Sequence, residues 1–324
     1  MENNNNLTLA ICMYNAEVYI TETLQSVVNQ TLQSFNILII DDCSTDNSVK
    51  LVNDFFVKNS CQYELVQLQE NGGICHARHY AERHANTPYL MFLDADDILL
   101  PTAVEKMYNK IESDNDLMAV GCYLDYIDKE GKKIGGGLYL GEKSKEAFIE
   151  KAARKKLIFM QPTAIYRREL SLKVGGYVID GFPDGKPRWQ DFCEDLDLWT
   201  RMSDLYKEGK AIIVVPETLC YYRKTNGLSS NSFYMILKMK YTKSNLLRRR
   251  DGKQDLSFIE FFNSLPENEL KKIKKESKSA DSLRNGVFLI KDKHIIKGIG
   301  LVAYSILLRP GYIFEKLKNN LFKK

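Results

Sequence analysis

The chain has 324 residues, 44% of them hydrophobic and 27% charged, with a net charge of +4. This is the composition of an ordinary globular protein, long enough for one large domain with an appendage or for two domains. Seven cysteines (Cys12, Cys43, Cys61, Cys75, Cys122, Cys193 and Cys220) are odd in number and scattered, with no CxxC pair and no His cluster. Neither a disulfide framework nor a zinc site is indicated, and a cytoplasmic setting is expected.

The N-terminus, Met1-Glu2 followed by four Asn, has no basic segment and no apolar core, so no signal peptide is expected. Leu7 to Cys12 alternates and is β-prone, and Ala16 to Gln30 carries Val18, Ile20, Leu24, Val27 and Val28 at helical spacing. A second strand, Phe35 to Ile40, ends in Asp41-Asp42, and a helix follows over Asp46 to Lys58. Tyr63 to Leu68 reads as a strand, Ile74 to Ala85 as a helix and Tyr89 to Leu93 as a fourth strand. Repeated β-α units predict a parallel sheet with helices on both faces. No GxGxxG and no GxxxxGK[ST] occurs, so neither the dinucleotide fingerprint nor the P-loop is available.

Beyond Leu100 the pattern loosens. A helix over Ala103 to Ser113 precedes a strand over Leu117 to Ile127 and a hairpin that turns through Asp128 to Gly131 and Gly135 to Gly137. Leu157 to Tyr166 and Ala211 to Val215 are further strands, separated in part by a Pro/Gly-rich loop from Gly181 to Pro187. From Asn231 the chain reads helical and basic, which places a domain boundary near Ser230: a body of residues 1–230 and a tail of residues 231–324. The tail holds 21 Lys+Arg against 9 Asp+Glu, a net of +12 that leaves −8 for the body. Such a tail suits an anionic membrane surface or a homodimer contact. Without a nucleic-acid motif, no nucleic acid is expected as partner.

The apolar run Tyr89 to Leu93 ends abruptly in Asp94-Ala95-Asp96-Asp97. A strand delivers these acids to the carboxyl edge of the sheet, where open α/β sheets place ligands. Crowded carboxylates repel unless a cation neutralises them, and a hard divalent ion held by one or two of them, with phosphates completing its shell, is the usual chemistry. Capping of the next helix near Pro101 is the alternative reading of Asp96-Asp97. Tyr14, just past the first strand, can stack on a base or merely pack. Asp42 can accept from a uracil N–H or cap a helix. Gly73 permits close backbone approach, and Arg78 can meet a carboxylate or phosphate.

Five segments stand in order: Cys12-Met13-Tyr14-Asn15, Asp41 to Asp46, Asn71-Gly72-Gly73 running to Arg78, Asp94 to Asp97, and Glu194-Asp195-Leu196-Asp197-Leu198-Trp199. Together they resemble the inverting family-2 glycosyltransferases of bacterial surface-polysaccharide synthesis. The resemblance spans roughly residues 7–230. It implies the α/β GT-A fold, a mixed, mostly parallel central sheet flanked by helices, here with a helical C-terminal extension. It further implies that Asp42 contacts uracil, Arg78 supports the nucleotide site, Asp94 faces the ribose and joins Asp96 in holding Mn2+ or Mg2+ on the diphosphate, and Asp195 is the base that deprotonates the acceptor. Glu194 would orient the acceptor. Gln161-Pro162-Thr163 and the segment from Tyr166 to Tyr177 match what precedes the Glu-Asp motif in bacterial relatives.

The chain departs from the family pattern at Thr225, where many relatives carry a His on the metal or diphosphate. Thr225, Arg223 or Lys224 would take up that phosphate charge. In the 181–190 loop Phe182, Arg188 and Trp189 are candidates for acceptor binding. The expected donor is a nucleoside-diphosphate sugar, most simply a UDP-sugar, and the expected acceptor a glycan or lipid-linked hydroxyl. Gly298 to Leu308 is an uncharged run of 11 residues, about 16 Å if helical and too short for a hydrocarbon core of ~30 Å. Flanked by Lys291, Lys293, Lys297, Arg309, Lys316, Lys318, Lys323 and Lys324, it suits an interfacial anchor, or packing on the body. The competing function is an inactive carbohydrate- or nucleotide-binding scaffold of the same fold, which would have no need to keep Asp94, Asp96 and Asp195 together.

Overall fold

The computed structural model describes residues 5–225, 227–291 and 293–311. The N-terminal half follows the β-α order read from the sequence: β1 (Leu7–Met13), α1 (Ile20–Val28), β2 (Asn36–Asp41), α2 (Ser48–Asn59), β3 (Glu64–Gln67), α3 (Ile74–His84) and β4 (Tyr89–Asp94). After β5 (Ile98–Leu99) come α4 (Ala103–Glu112), β6 (Leu117–Ile127), β7 (Lys133–Leu138), α5 (Lys145–Ala153), β8 (Ala164–Arg167), α6 (Arg168–Lys173), α7 (Glu194–Met202) and β9 (Ala211–Arg223). One sheet runs β3-β2-β1-β4-β8-β6-β9-β5, with β7 on β6. β1 to β4 pair in parallel, β8 is antiparallel to both β4 and β6, and β9 is parallel to β6. Every side chain of β1 is buried, as expected for a central strand covered on both faces.

β7 runs through Gly135 to Gly137, which the sequence reads as a turn, and β5 is not foreseen; two further strands differ from expectation, each because of a proline. The predicted strand Leu157–Tyr166 is paired only from Ala164, since Pro162 lacks the N–H that a ladder needs. Conversely, the strand expected to end at Val215 reaches Arg223. Its register with β6 slips between Cys122↔Val215 and Tyr123↔Thr218, a bulge that absorbs Pro216 before pairing resumes. Helix α5 escapes the periodicity because only Phe148 and Ala152 are buried on it, though Ser144 caps it by accepting from the Ala147 N–H.

The described residues form two compact units: 5–180, 193–225 and 242–255 in the first, and 181–192, 227–241 and 256–311 in the second. One passage between them follows Thr225. The others follow from side-chain partners. α8 (Ser232–Arg250) supplies residues to both, and within the first unit Thr242 donates to Asp197 while Arg249 and Arg250 pair with Asp204. Within the second unit Leu237, Tyr241, Phe258, Phe261 and Ile273 form a small core against which Phe182 and Trp189 pack. The rest of that unit is α9 (Phe258–Ser264), α10 (Glu267–Lys291) and α11 (Ile295–Leu308). No described helix is long and apolar enough to cross a membrane.

Candidate active site

All the acids singled out in the first unit lie at or just beyond the carboxyl ends of parallel strands or at the start of α7. β2 ends in Asp41, and Asp42 follows, its N–H donating to the Met13 carbonyl at 2.8 Å. The Asp42 carboxylate is buried and accepts from the Gly72 N–H (2.9 Å), the Gly73 N–H (2.8 Å) and the Asn71 side-chain amide (3.0 Å). It caps no helix: α2 begins after Asn47, where Asp46 accepts from the Ser48 N–H at 2.9 Å. Asp42 instead holds the turn that opens α3, with Gly73 at φ 93°, a conformation that favours glycine. Tyr14, beyond β1, is half exposed. The loop beside it is fixed by Asn15, whose carbonyl side chain accepts from the Thr45 N–H and whose N–H donates to Ser44.

The turn Asp94 to Asp97 is held through its backbone, and Asp94 and Asp96 stay partly exposed. The Asp97 N–H donates to the Asp94 carbonyl, Thr23 of α1 donates to the Ala95 carbonyl at 2.9 Å, and the Arg223 Nε donates to the Asp96 carbonyl at 2.9 Å. Asp97 is buried and accepts from the Arg223 N–H at 2.9 Å. Burial, with the charges of Asp94 and Asp96, drives its carboxyl well above the usual range. Burial and the Asp94 charge push Asp96 up to about 6. Neither acid caps α4, whose start lacks a side-chain cap.

Arg223 therefore needs correcting as a phosphate ligand. It is buried, and besides Asp96 its guanidinium donates to the carbonyls of Asp128 (3.1 Å) and Lys129 (3.0 Å), pairs with Glu22 and lies over the Tyr19 ring. Its guanidinium donors are thus taken up by Asp96, Asp128, Lys129 and Glu22, with Nε and the backbone N–H fixing the Asp94–Asp97 turn. Lys224, exposed, sits over the rings of Tyr126 and Tyr222. The Thr225 N–H donates to the Arg223 carbonyl.

Arg78 of α3 is the centre of the arrangement. Its side chain is 3% exposed and bridges two acids, Nη2 to Asp94 at 2.5 Å and Nη1 to Glu194 at 2.6 Å. The guanidinium lies near the rings of Phe92 and Tyr177, so it is a buried clamp between the β4 edge and the first residue of α7. Burial raises the Glu194 carboxyl to about 8 against the pull of Arg78, with Asp195 adding repulsion. The next residue, Asp195, is partly exposed, and its carboxyl is raised by burial despite Arg78. Glu194, Asp195 and Asp197 all lie in the first turn of α7, where the helix dipole favours negative charge. Asp197 is structural, paired with Arg201 at 2.8 Å, and Trp199 is fully buried.

Sequence reasoning gave no role to Arg201, Glu82 or Thr23. Arg201 donates to the carbonyls of Val174 and Gly176, and buried Glu82 accepts from the Tyr166 hydroxyl and the Tyr177 N–H. Together they lock the Gly175-Gly176 segment against α7. Their only sequence signal was proximity to recognised motifs. In the second unit, the Trp189 ring packs against Phe258 (4.6 Å between centroids) and Tyr234 (4.9 Å). The sequence expectation of a sugar-stacking Trp189 is thus corrected to an aromatic anchor, because its ring is occupied by its own core.

Among the described residues no three acidic, His or Cys side chains gather as a metal cluster. The pair Asp94 and Asp96 nevertheless suits Mg2+ or Mn2+, which take one or two carboxylates and complete their shell with water and substrate phosphates. The mutual repulsion that raises Asp96 is the kind that a cation relieves.

A mixed sheet whose parallel strands end in an acidic edge, with a glycine turn at a helix start and a second acidic pair beside a buried arginine, fits a glycosyltransferase. The chain belongs to the glycosyl transferase family 2, whose family model matches residues 8–175, and it is a glycosyltransferase with the GT-A fold. It is similar to a teichoic acid poly(glycerol phosphate) polymerase of Staphylococcus epidermidis, 41% identical over 115 residues, 36% of this chain and 16% of that protein. It thus spans about a sixth of that relative's length. Among solved structures it resembles residues 1–349 of S. aureus TarS in complex with UDP, with a TM-score of 0.53 at 17% identity over 96% of this chain and 92% of the other. It also resembles the mannosyltransferase PcManGT of Pyrobaculum calidifontis in complex with GDP-Man and Mn2+, with a TM-score of 0.53 at 19% identity over 98% and 81%.

Proposed function

We propose that the protein transfers a sugar, with inversion, from a nucleoside-diphosphate sugar to a hydroxyl of a bacterial surface glycan or its lipid-linked precursor. UDP is the favoured nucleotide. The observation that carries this reading is the Arg78 bridge, which ties the edge that would receive the diphosphate, at Asp94, to the helix start that bears the candidate base, at Asp195. Transfer to an alcohol requires both a stabilised leaving group and removal of a proton, and the bridge sets the two sources side by side.

In this reading Tyr14 stacks on the base and the Asn71–Gly73 turn, fixed by Asp42, forms the wall of the nucleotide pocket. Asp94 faces the ribose. A divalent ion held by Asp94 and Asp96 would neutralise charge on the departing diphosphate. Lys224 and Thr225, past the end of β9, are the remaining candidates for phosphate contact. Asp195 accepts the proton of the acceptor hydroxyl, and its raised carboxyl makes it a stronger base than an ordinary aspartate. The hydroxyl oxygen bonds to the anomeric carbon as the bond to the diphosphate breaks on the opposite face, so the configuration inverts in one displacement. Glu194 keeps Arg78 in place and orients the acceptor. The TarS–UDP and PcManGT–GDP-Man complexes support a nucleotide-sugar donor on this fold, and free thiols at all seven cysteines suit a reducing compartment.

Thermal unfolding of wild type and Asp96→Asn with UDP or GDP, each with and without Mn2+, tests the reading. A ligand at a hundred times its Kd adds about 2.7 kcal/mol, several degrees for a chain of this size. A rise with UDP that needs both Mn2+ and Asp96 is expected. No rise with any nucleotide would favour the inactive scaffold.

A further inference from the structure

The helical hairpin formed by α10 and α11 is packed inside out. Its inner seam is built around small and polar residues, with Val302 and Ile290 beside the glycines. Ser279 and Ser305 meet at 3.0 Å between hydroxyls, and both are buried. At Gly286 and Gly298 the two backbones approach so closely that a Cβ on either would lie 2.8 or 2.7 Å from the other's carbonyl oxygen. Several bulky apolar side chains are on the outside. Ile296 is 88% exposed, Leu307 79% and Phe288 67%, with Ile299, Ile306 and Tyr304 exposed along the same helix α11 and Val287, Ile290 and Ile295 near the turn between the helices.

On α11, Ile296, Ile299, Gly300, Ala303, Ile306 and Leu307 follow helical spacing and form one continuous outward face with no charge on it. A helix folded for water would turn this face inward. Close approach through small residues with large apolar groups outside is instead how helices pair in lipid. The length of α11, about 21 Å at 1.5 Å per residue for its 14 residues, does not span a bilayer.

The charges nearby select the occupant. From Ser282 to Arg309 the sequence carries Arg284, Lys291, Lys293, Lys297 and Arg309 against one acid, Asp292; Arg284 pairs with Asp281 and Arg309 with Glu276, which leaves the lysines to set the charge of the face. Lys293 and Lys297 are exposed beside the apolar face. Of the other lysines expected to flank the run, Lys316, Lys318, Lys323 and Lys324 lie outside the described residues, as do the side chain of Lys291 and Asp292. A second copy of the chain docking through this face would bring two basic surfaces together, whereas anionic lipid headgroups would neutralise them. We infer that the outward face of α11 docks onto an anionic membrane surface, α11 lying in the interface with its apolar side chains among the acyl chains and Lys293 and Lys297 at the headgroups. The inference stands apart from the transfer reaction, since it concerns where the protein sits and not what it does there.

Co-sedimentation of the full chain with phosphatidylcholine vesicles, and with vesicles also containing phosphatidylglycerol, tests it. Binding to the anionic vesicles at low salt, weakened by high salt and weak on the neutral ones, is expected. Each lysine near such a surface is worth about 1 kcal/mol, so Lys293→Gln with Lys297→Gln should weaken binding by roughly 25-fold. Ile296→Asp with Ile299→Asp should abolish it. Because both isoleucines are exposed, this variant should keep the wild-type circular dichroism and melting temperature, so its loss of binding cannot be misfolding. No binding to anionic vesicles at low salt overturns the proposal, and so does equal binding to neutral ones. A dimer in light scattering that the Ile296→Asp/Ile299→Asp pair disperses, with vesicle binding unchanged, also overturns it and assigns the face to a second copy.

Discussion

The carboxyl edge of the sheet and the α10–α11 hairpin handle unfavourable groups in opposite ways. At the sheet edge, charge is buried and matched: Arg78 lies between Asp94 and Glu194, and Arg223 is spent on backbone carbonyls, Asp97 and Glu22. In the hairpin, apolar surface is exposed and unmatched, while Ser279 and Ser305 occupy the seam. The comparison separates two kinds of demand. Buried charges cost several kcal/mol each unless paired, so they mark residues whose geometry must be exact to within a hydrogen bond. Exposed apolar groups lower solubility but barely alter the folding equilibrium, so they mark a surface with a use outside the chain.

The largest effect should come from Asp195, the proposed base. Asp195→Asn is expected to lower kcat by 10²–10⁴-fold with little change in melting temperature, measured by donor turnover and thermal unfolding. In wild type, kcat/KM should fall as pH is lowered through the raised pKa of Asp195, because protonation removes the base, and the residual rate of the Asn variant should lack that limb. A variant that kept the same acid limb would move the base elsewhere.

Arg78→Met breaks the matched region directly. It removes the only side chain bridging Asp94 and Glu194 among the described residues, leaving buried acid without its partner, and should cost about 3–5 kcal/mol in denaturant unfolding. Arg78→Lys should recover less than half, since an ammonium cannot span two carboxylates in one plane as a guanidinium does. An unchanged midpoint would mean that the bridge is not formed in solution.

The hairpin should answer in the opposite sense. Ser305→Leu forces a large side chain into a closed seam and is expected to destabilise by roughly 1–3 kcal/mol. Ile296→Asp, a harsher chemical change at an 88% exposed position, should shift stability by no more than about 0.5 kcal/mol. If the order were reversed, the outward face would be covered in solution and the inside-out packing would be wrong.

Much of this protein is written locally. Strands β1 to β4 and helices α1 to α3 are legible because apolar periodicity and flanking polar residues act within a few residues of each other, and Asp94, Asp96 and Asp195 can be named because they close or open such elements. Glycines at 72 and 73 and the acids after β2 and β4 carry their message in order and spacing alone. The same local rules misplace β8 and β9 at Pro162 and Pro216, where pairing with β6 decides how far a strand continues.

Only the tertiary structure decides what the polar residues are for. Arg223 and Arg78 look alike in the sequence, each an arginine near a motif, yet one supports the Asp94–Asp97 turn and the other joins β4 to α7 by reaching Glu194, 116 residues further along the chain. Asp42 turns out to hold the Asn71–Gly73 turn, and Trp189 to anchor an aromatic core. The physical reason is range: hydrophobic periodicity is set by neighbours in sequence, whereas a buried charge takes its partner from whatever the folded chain brings within about 3 Å, the reach of a hydrogen bond.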